Sequence, residues 1–490
     1  LSVTLPARTA LAEPALTPSR LRLVSLIVAC ALFMQNLDST VISTALPTMA
    51  RAFGEDPVHM NVALTAYLFA LALFVPASGW MADRFGTRTV FRAAIAVFTM
   101  GSVLCGRADT LGFLVISRVI QGAGGAMMLP VGRLVLLRSV PKDRLVGAMA
   151  WVTMPALIGP VIGPPVGGLI VTYLSWRWIF DINVPIGVAG FILVSLFIAD
   201  MREPLPGRLD VTGLILSGLA LAGLMGVLEL VGRHLVPVAG LAAVGAMGLA
   251  SAVLYAWHAR RQARPLLDFS LFRLPTFAVS VMAGSLFRVG VGAQPFLLPM
   301  MLQLGFGFSP AHSGAVTFAG ALGAIGMKPG TQWMLRRFGF RPTLAINGMV
   351  CSLGLAACAA FRPAWPIAVI YASLITTGFL RSLQFTAYNA IAYAEVPPAR
   401  MSAATTLYSA LQQVSLTVGI PIGAGVLLMA RTAAGHVVPA PADFSAAFLV
   451  VAAIAFLAGP VALILPRDAG REMSGHRAGA ARHGNRLSSS

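Results

Sequence analysis

The sequence predicts an all-α protein that crosses a membrane many times, on three observations. Of its 490 residues, 57% are hydrophobic and 11% charged, less than half the charged share that clothes a soluble domain in water. Apolar runs of about 20 residues, the helix length that crosses a bilayer core, follow one another along the chain. The 35 Lys and Arg, set against 17 Asp and Glu, collect in the breaks between those runs, alternately dense and sparse.

Cutting at the breaks gives fourteen spans: 23–46, 60–81, 90–106, 111–132, 146–173, 182–200, 210–231, 236–257, 275–301, 310–334, 343–361, 366–386, 403–430 and 444–465. With the first residues in the cytoplasm, segments on that side, with Arg92 at the edge of span 3 counted to them, hold 25 of the cations and the opposite loops hold six. The remaining four, Arg118, Arg288, Lys328 and Arg381, fall inside spans. The positive-inside rule then puts both termini in the cytoplasm and makes the chain a multi-pass protein of the inner, cytoplasmic membrane. Residues 1–22 form a cytoplasmic tail whose Arg8, Arg20 and Arg22 imitate a signal peptide. The run that follows is too long for one and leads to no polar mature domain, so it reads as a retained span. The tail 466–490, with five Arg among Gly, Ala and Ser, reads as disordered and attracted to anionic lipid.

The net charge of +18 does not point to nucleic acid, because the cations sit in short clusters between apolar runs and not along a stripe. No connecting loop is long enough for a soluble catalytic domain, which argues against an enzyme. Cys30, Cys105, Cys351 and Cys358 lie inside apolar runs without metal-ligand spacing, as small packed residues do.

The stretch Trp80-Met-Ala-Asp-Arg-Phe-Gly-Thr-Arg88 recurs as Trp333-Met-Leu-Arg-Arg-Phe-Gly-Phe-Arg341, identical at six of nine positions. Each copy closes a span and opens a short cytoplasmic loop, the first after span 2 and the second after span 10. A duplicated bundle follows, with spans 1–6 matching spans 9–14. The expected organisation is a six-helix bundle over 23–200, an inserted pair with its linkers over 201–274, and a second six-helix bundle over 275–465.

Several motifs carry a family resemblance. Gly79, Asp83, Arg84, Gly86 and Arg88 resemble the loop signature G-x-x-x-D-R-x-G-R-[RK] of the major facilitator superfamily, with Thr87 at one usually basic position. Leu37, Asp38, Thr40, Ala45, Leu46 and Pro47 resemble the span 1 signature of its fourteen-span drug:proton antiporters, with Ser43 where Asn is usual. Arg118, Gln121, Gly122, Gly124 and Gly125 resemble the R-x-x-Q-G-x-G-[AG] signature of proton-coupled members. Gly159, Pro160, Gly163, Pro164, Gly167 and Gly168 resemble the antiporter signature G-P-x-x-G-P-x-x-G-G, and the segment from Trp176 through Asn183 to Pro185 also fits. The resemblance is dense in the first half, while the second half matches mainly in topology and the repeated loop. It implies a multidrug exporter that uses the proton gradient and no cofactor, with lipid and small hydrophobic compounds as its partners.

Physics assigns these residues tasks. Asp38 is a lone carboxylate in an apolar helix, where ionisation is costly, and so a candidate proton carrier. It lies roughly 12 Å below the outer face and Arg118 roughly 10 Å below it, so the two can meet and Arg118 can tune the carboxylate. The competing reading is a permanent ion pair that only fixes packing. Asp83, Arg84 and Arg88, with Gly79 and Gly86 permitting close approach and a tight turn, form a candidate conformational latch; the alternative is topology alone. The second copy has Arg336 in place of Asp83. Gly159, Gly163 and Gly167 share one helix face, and the prolines soften the span, which suits either rocking of the two halves or plain helix packing.

Candidate substrate contacts are Met34, Gln35, Gln121, Met154, Phe287, Arg288, Gln294, Phe296 and Arg381, because Met and aromatic surfaces re-pack around varied shapes. Cationic amphipaths are favoured by the Asp38 carboxylate, while the Arg residues equally suit anionic compounds. Alternatives within this fold are export of one metabolite or proton symport; a membrane-embedded enzyme or a receptor-like protein belongs to another class. The short outer loop between the last two spans offers no docking element for a periplasmic adaptor.

Overall fold

The computed structural model describes residues 18–139, 159, 162–201, 209–230, 237–262, 265–397 and 400–471, and every regular element among them is helical. In chain order the principal helices are α1 Pro18–Phe53, α2 Asn61–Phe85, α3 Thr87–Gly106, α4 Leu111–Ser139, α5 Ile162–Tyr173, α6 Trp178–Phe197 and α7 Val211–Leu230. They continue with α8 Val238–Arg261, α9 Pro275–Gly305, α10 Pro310–Gly326, α11 Phe340–Ala360, α12 Ile367–Ile391, α13 Met401–Ala433 and α14 Pro441–Ala462.

Among the described residues, twelve helices are long and apolar enough to cross a bilayer. Two of the fourteen expected spans account for the difference. The span 146–173 is described mainly over α5, most of its earlier residues lying outside the described ones. The span 310–334 is broken: α10 stops after 17 residues, a turn carries Lys328, and a separate helix runs over Thr331–Phe338. The expected end of span 1 at residue 46 is also displaced, because α1 continues through Pro47 to Phe53. One missing N–H is tolerable where neighbouring helices shield the backbone. At its other end α1 begins at Pro18, inside the segment expected to be tail.

The duplicated loop folds alike in both copies. Ser78–Phe85 and Thr331–Phe338 are eight-residue helical segments that end on Gly86 (φ 93°) and Gly339 (φ 77°), a backbone region that glycine enters without steric cost. In each, the tryptophan meets the phenylalanine edge to face, at 5.9 Å for Trp80–Phe85 and 6.5 Å for Trp333–Phe338.

Packing differs between the two ends of the molecule. At the end that carries loops 54–60 and 434–440, one core joins both halves of the chain, with Leu46 and Met49 beside Phe296, Met300, Phe444 and Phe448. Arg431 crosses the seam to Asp56 at 2.5 Å, and Gln303 Nε2 donates to the Thr44 carbonyl at 3.0 Å. Toward the opposite end the core divides. Val28, Phe91, Phe98 and Leu136 pack within the first half, whereas Phe287, Leu344, Tyr388 and Ala458 pack within the second.

The inserted pair lies along this seam. Leu221 and Met225 of α7 pack with Ala72 and Phe69 of α2 and with Val414 and Val418 of α13, and Asn61 of α2 donates to both carboxylate oxygens of Glu229 at 3.1 Å. Helix α8 stands outside it, with Leu249, Val253, Leu254 and Trp257 exposed, an apolar outer face of the kind lipid covers. The linker after α8 is tied to the start of α13 by Asp268, which accepts from Arg400 Nη2 at 2.7 Å and from Ser270 N and Oγ at 3.0 and 2.6 Å.

Helix α5 is pressed between the halves, and its glycines explain how. A Cβ at Gly163 would strike Thr40 Oγ1, one at Gly167 would lie 2.5 Å from the Val41 carbonyl, and one at Gly159 would lie 3.0 Å from the Phe33 carbonyl. All three face α1. Gly168 instead meets the backbone of Pro310 and Ala311, and Gly314 of α10 meets the Pro164 carbonyl. Gly79 is different: a Cβ there meets nothing within 4 Å among the described residues, so the expected close approach at that position is corrected. The turn needs Gly86 and not Gly79.

Two outcomes follow. Gly167→Leu overpacks the α1–α5 contact and lowers stability by about 1–3 kcal/mol in thermal unfolding of the purified protein, while Gly79→Ala shifts it by less than about 0.5 kcal/mol. Partial burial alone would raise the Asp268 carboxyl, but Ser270 and Arg400 outweigh it and hold the group below the usual carboxylate range. A lowered folded-state value adds stability above the unfolded value and loses it as pH falls through the folded one. The melting-temperature gap between wild type and Asp268→Asn is therefore full above about pH 4 and closes in more acidic buffer.

Candidate functional site

The first half builds its polar centre around Asp38, in the middle of α1 and 3% exposed. Arg118 of α4, fully buried, meets Asp38 Oδ2 through Nη1 at 2.6 Å. The other oxygen, Oδ1, accepts from Gln121 Nε2 at 2.8 Å and from Asn183 Nδ2 of α6 at 2.9 Å. Three helices thus converge on one carboxylate, and α3 supports them. Ser102 Oγ accepts from Asn183 at 3.0 Å and from Gln121 at 3.2 Å, and donates to the Phe180 carbonyl at 2.9 Å.

Arg118 is held on every side. Its Nε donates to the Ala63 carbonyl at 3.1 Å, Nη1 also reaches Gln121 Oε1 at 2.7 Å, and the guanidinium lies 4.2 Å over the Tyr67 ring. Tyr67 OH, Arg118 Nη2 and Asn183 Oδ1 have no partner among the described residues, so the cluster keeps two donors and an acceptor in reserve for a change of protonation. Arg118 and Gln121 sit three apart on α4, the spacing that puts two side chains on one helix face.

Among the described residues, the buried arginines of the second half meet neutral partners. Arg381 Nη1 of α12 donates to Gln294 Oε1 of α9 at 2.5 Å. Arg288, 1% exposed, donates to Tyr408 Oη at 2.5 Å and to Asn389 Oδ1 at 3.4 Å, and lies 5.7 Å over the Phe385 ring. Arg381, Gln294 and Phe287 line one recess with Val291, Leu355 and Thr377.

The remaining expected site residues are placed as follows. Met34 and Phe296 are buried in the core, at 1% and 0% exposure, where polarizable side chains fill gaps in any bundle. Gln121 belongs to the Asp38 cluster. Gln35 is half-buried on α1. Met154 and Pro160 lie outside the described residues. In the loop after α2, Asp83 and Arg88 are half-buried and Arg84 is exposed. The contacts described there run to the end of α6: Thr87 N donates to the Met201 carbonyl at 3.0 Å, Met201 N donates to Thr87 Oγ1 at 3.3 Å, and a Cβ on Gly86 would strike the Asp200 carboxylate. Thr87, the departure from the family signature, is thus a docking residue. Asn183, Ser102 and Tyr67 were missed as site residues. The available signal for Asn183 was a polar side chain at the apolar start of span 6.

Among the described residues, no group of three or more His, Cys, Asp or Glu could hold a metal ion. A helical bundle with buried polar centres between its membrane-crossing helices is the build of a secondary transporter. The sequence pattern of the Major Facilitator Superfamily matches residues 28–420, and the chain belongs to that family. It is a multi-pass membrane protein that moves small molecules and is not an enzyme. It is 40% identical over 417 residues to the MdtD protein of Klebsiella pneumoniae (strain 342), named for multidrug resistance, covering 84% of this chain and 87% of that one. The MdtD protein of Salmonella typhimurium is 39% identical over 413 residues, covering 82% and 85%. Among solved structures, a D-xylose-proton symporter superposes with a TM-score of 0.64 at 15% identity over 91% of this chain and 98% of its own. A peptide transporter in complex with sulfate superposes with a TM-score of 0.66 at 14% identity over 92% and 95%.

Breaking the ion pair from one side leaves a buried charge uncompensated. Arg118→Met is expected to destabilise the fold by about 3–5 kcal/mol, and Asp38→Asn with Arg118→Met to recover most of that loss. A thermal-unfolding double-mutant cycle measures the coupling, and additive single effects contradict it.

Proposed function

We propose that the chain is a proton-coupled antiporter of fourteen spans, with both termini cytoplasmic, which exports hydrophobic small molecules across the bacterial cytoplasmic membrane by alternating access. In this reading the two six-helix bundles, 23–200 and 275–465, rock about the seam that α5, α7, α10 and α13 share. The observation that carries it is the cluster of Arg118, Gln121 and Asn183 around one buried carboxylate, Asp38. The end that carries loops 54–60 and 434–440 is then the outer face. It is closed while the cores divide toward the cytoplasm, as in a transporter that receives its substrate from within.

Asp38 works as follows in this scheme. The inward-facing state, in which Arg118 Nη1 lies 2.6 Å from Asp38 Oδ2, is assigned as the one that has released its proton. Opening to the outside must lengthen that contact; the carboxylate, left in an apolar setting, then takes a proton from the acidic side. Helix α5 transmits the change, because its glycines bear on α1 beside Asp38 and its other face bears on α10 of the second bundle. The loop of Gly79, Asp83, Arg84, Gly86 and Arg88 serves as the latch, holding α2 to the end of α6 in this state. The preference for cations rested on Asp38 as a counter-charge. With three donors already on that carboxylate, it offers a cation no vacant place.

Inside-out vesicles test the reading with a cation (ethidium), a neutral dye (N-phenyl-1-naphthylamine) and an anion (fluorescein). An acid lumen is expected to drive accumulation of at least one probe, an uncoupler to collapse it, and Asp38→Asn to abolish it at normal expression. Accumulation by Asp38→Asn at the wild-type rate, or of none of the three by the wild type, contradicts proton-coupled export.

A further inference from the structure

The duplication matches α1 with α9, α3 with α11 and α4 with α12, and this sets a second polar centre opposite the first. Arg118 and Gln121 of α4 recur at the same spacing as Arg381 and Gln384 of α12. Where Arg118 Nη1 meets Asp38 at 2.6 Å, Arg381 Nη1 meets Gln294 at 2.5 Å. Where Gln121 Nε2 donates to Ser102 of α3, Gln384 Oε1 accepts from Asn347 Nδ2 of α11 at 2.8 Å. The second centre is the first with an amide in place of its carboxylate. An amide oxygen accepts a hydrogen bond but cancels no charge, and among the described residues no carboxylate lies within ion-pair distance of Arg381.

Arg288 repeats the imbalance. It sits six residues before Gln294 on α9, about 9 Å along the axis. Among the described residues its hydrogen-bond partners are the neutral Tyr408 and Asn389, and its Nε has none. Phe385 lies under Arg288 and meets Phe287 edge to face at 5.8 Å. A guanidinium held away from water without an acid is strongly unfavourable and calls for a counter-charge. Of the two, Arg381, half-buried and lining the recess with Gln294 and Phe287, is the one placed to receive a counter-charge from outside the protein.

Resting on the exporter reading above, we infer that Arg381 is the anion-binding point of the substrate site: the transported compound is a hydrophobic anion whose carboxylate or sulfonate takes the place at Arg381 that Asp38 holds at Arg118. Phe287 and Phe385 provide the apolar wall for its body, and Arg288 keeps the potential of that wall positive. Gln294 gives way to the ligand as the competing acceptor.

Equilibrium binding of fluorescein to the purified full chain in micelles, read by fluorescence anisotropy, tests the site without any proton gradient. Wild type is expected to bind saturably and ethidium not to compete. Arg381→Gln is expected to weaken binding about 10- to 100-fold, and Arg381→Lys to weaken it less. Gln294→Glu supplies the missing carboxylate from within; it is expected to weaken binding as much as Arg381→Gln while unfolding at or above the wild-type temperature, which separates loss of the site from loss of the fold. Absence of saturable fluorescein binding, or equal binding by wild type, Arg381→Gln and Gln294→Glu, overturns the inference. If binding follows Arg381 but vesicles accumulate no probe, the exporter reading falls and the anion site stands. If ethidium or the neutral dye accumulates through Asp38 while fluorescein is not bound, the anion site falls alone.

Discussion

The arrangement of the first half depends on keeping one ionised carboxylate out of water. Removing such a group from solvent costs several kcal/mol even after the protein relaxes, and Asp38 is offset by a guanidinium and two amide donors in good geometry. Those donors come from α4 and α6, and Ser102 of α3 orients two of them, so four helices must reach the same depth with their faces turned inward. Helix α1 can be this closely surrounded because Gly163 and Gly167 of α5, and Gly159 ahead of it in the chain, present no side chain to it. A side chain at any of these positions would push α1 away from the arginine it has to meet.

The same constraint makes the site mechanically responsive. A charge on α1 held by short contacts from α4 and α6 has its energy written into the relative positions of these helices, and shifting any one of them weakens the whole set. Helix α5 touches the carboxylate's helix on one face and the second half on the other, and α7 packs against α2 and α13 where the halves meet. The inserted pair is therefore placed to bear on the seam and is more than an appendage, although its sequence shows only two apolar runs.

The helical class, most spans, the duplicated loop and the Asp38–Arg118 encounter were legible because each rests on a one-dimensional signal: run length, charge position, identity at a fixed offset, or depth counted along a helix. Asn183 was not legible as a ligand, since its partnership with Asp38 spans 145 positions and depends on the rotation of α6, which a uniformly apolar helix does not encode. Met34 and Phe296 meet a related limit: chemistry suits both for a cavity, but helix rotation, which the sequence does not encode, sets them in the core here. The break after α10 was missed because Gly326, Pro329 and Gly330 sit in an otherwise apolar stretch, where hydropathy hides a turn that glycine and proline make.

Duplication also sets what each half can do. Two copies of one polar centre begin with the same obligation, a cation and an anion that neutralise each other inside the bilayer. In the first copy the acid is part of the chain, so the centre can change its charge only by exchanging a proton. In the second the amide of Gln294 stands where the acid would be, and under the inferred anion site Arg381 is neutralised by the cargo. A transporter that couples two solutes needs this division, because two complete pairs would leave no vacancy for substrate and two acid-free centres would leave no place for the proton. In the proposed scheme, an acid at Asp38 and an amide at Gln294 thus separate the driving ion from the cargo, each assigned to one side of the seam.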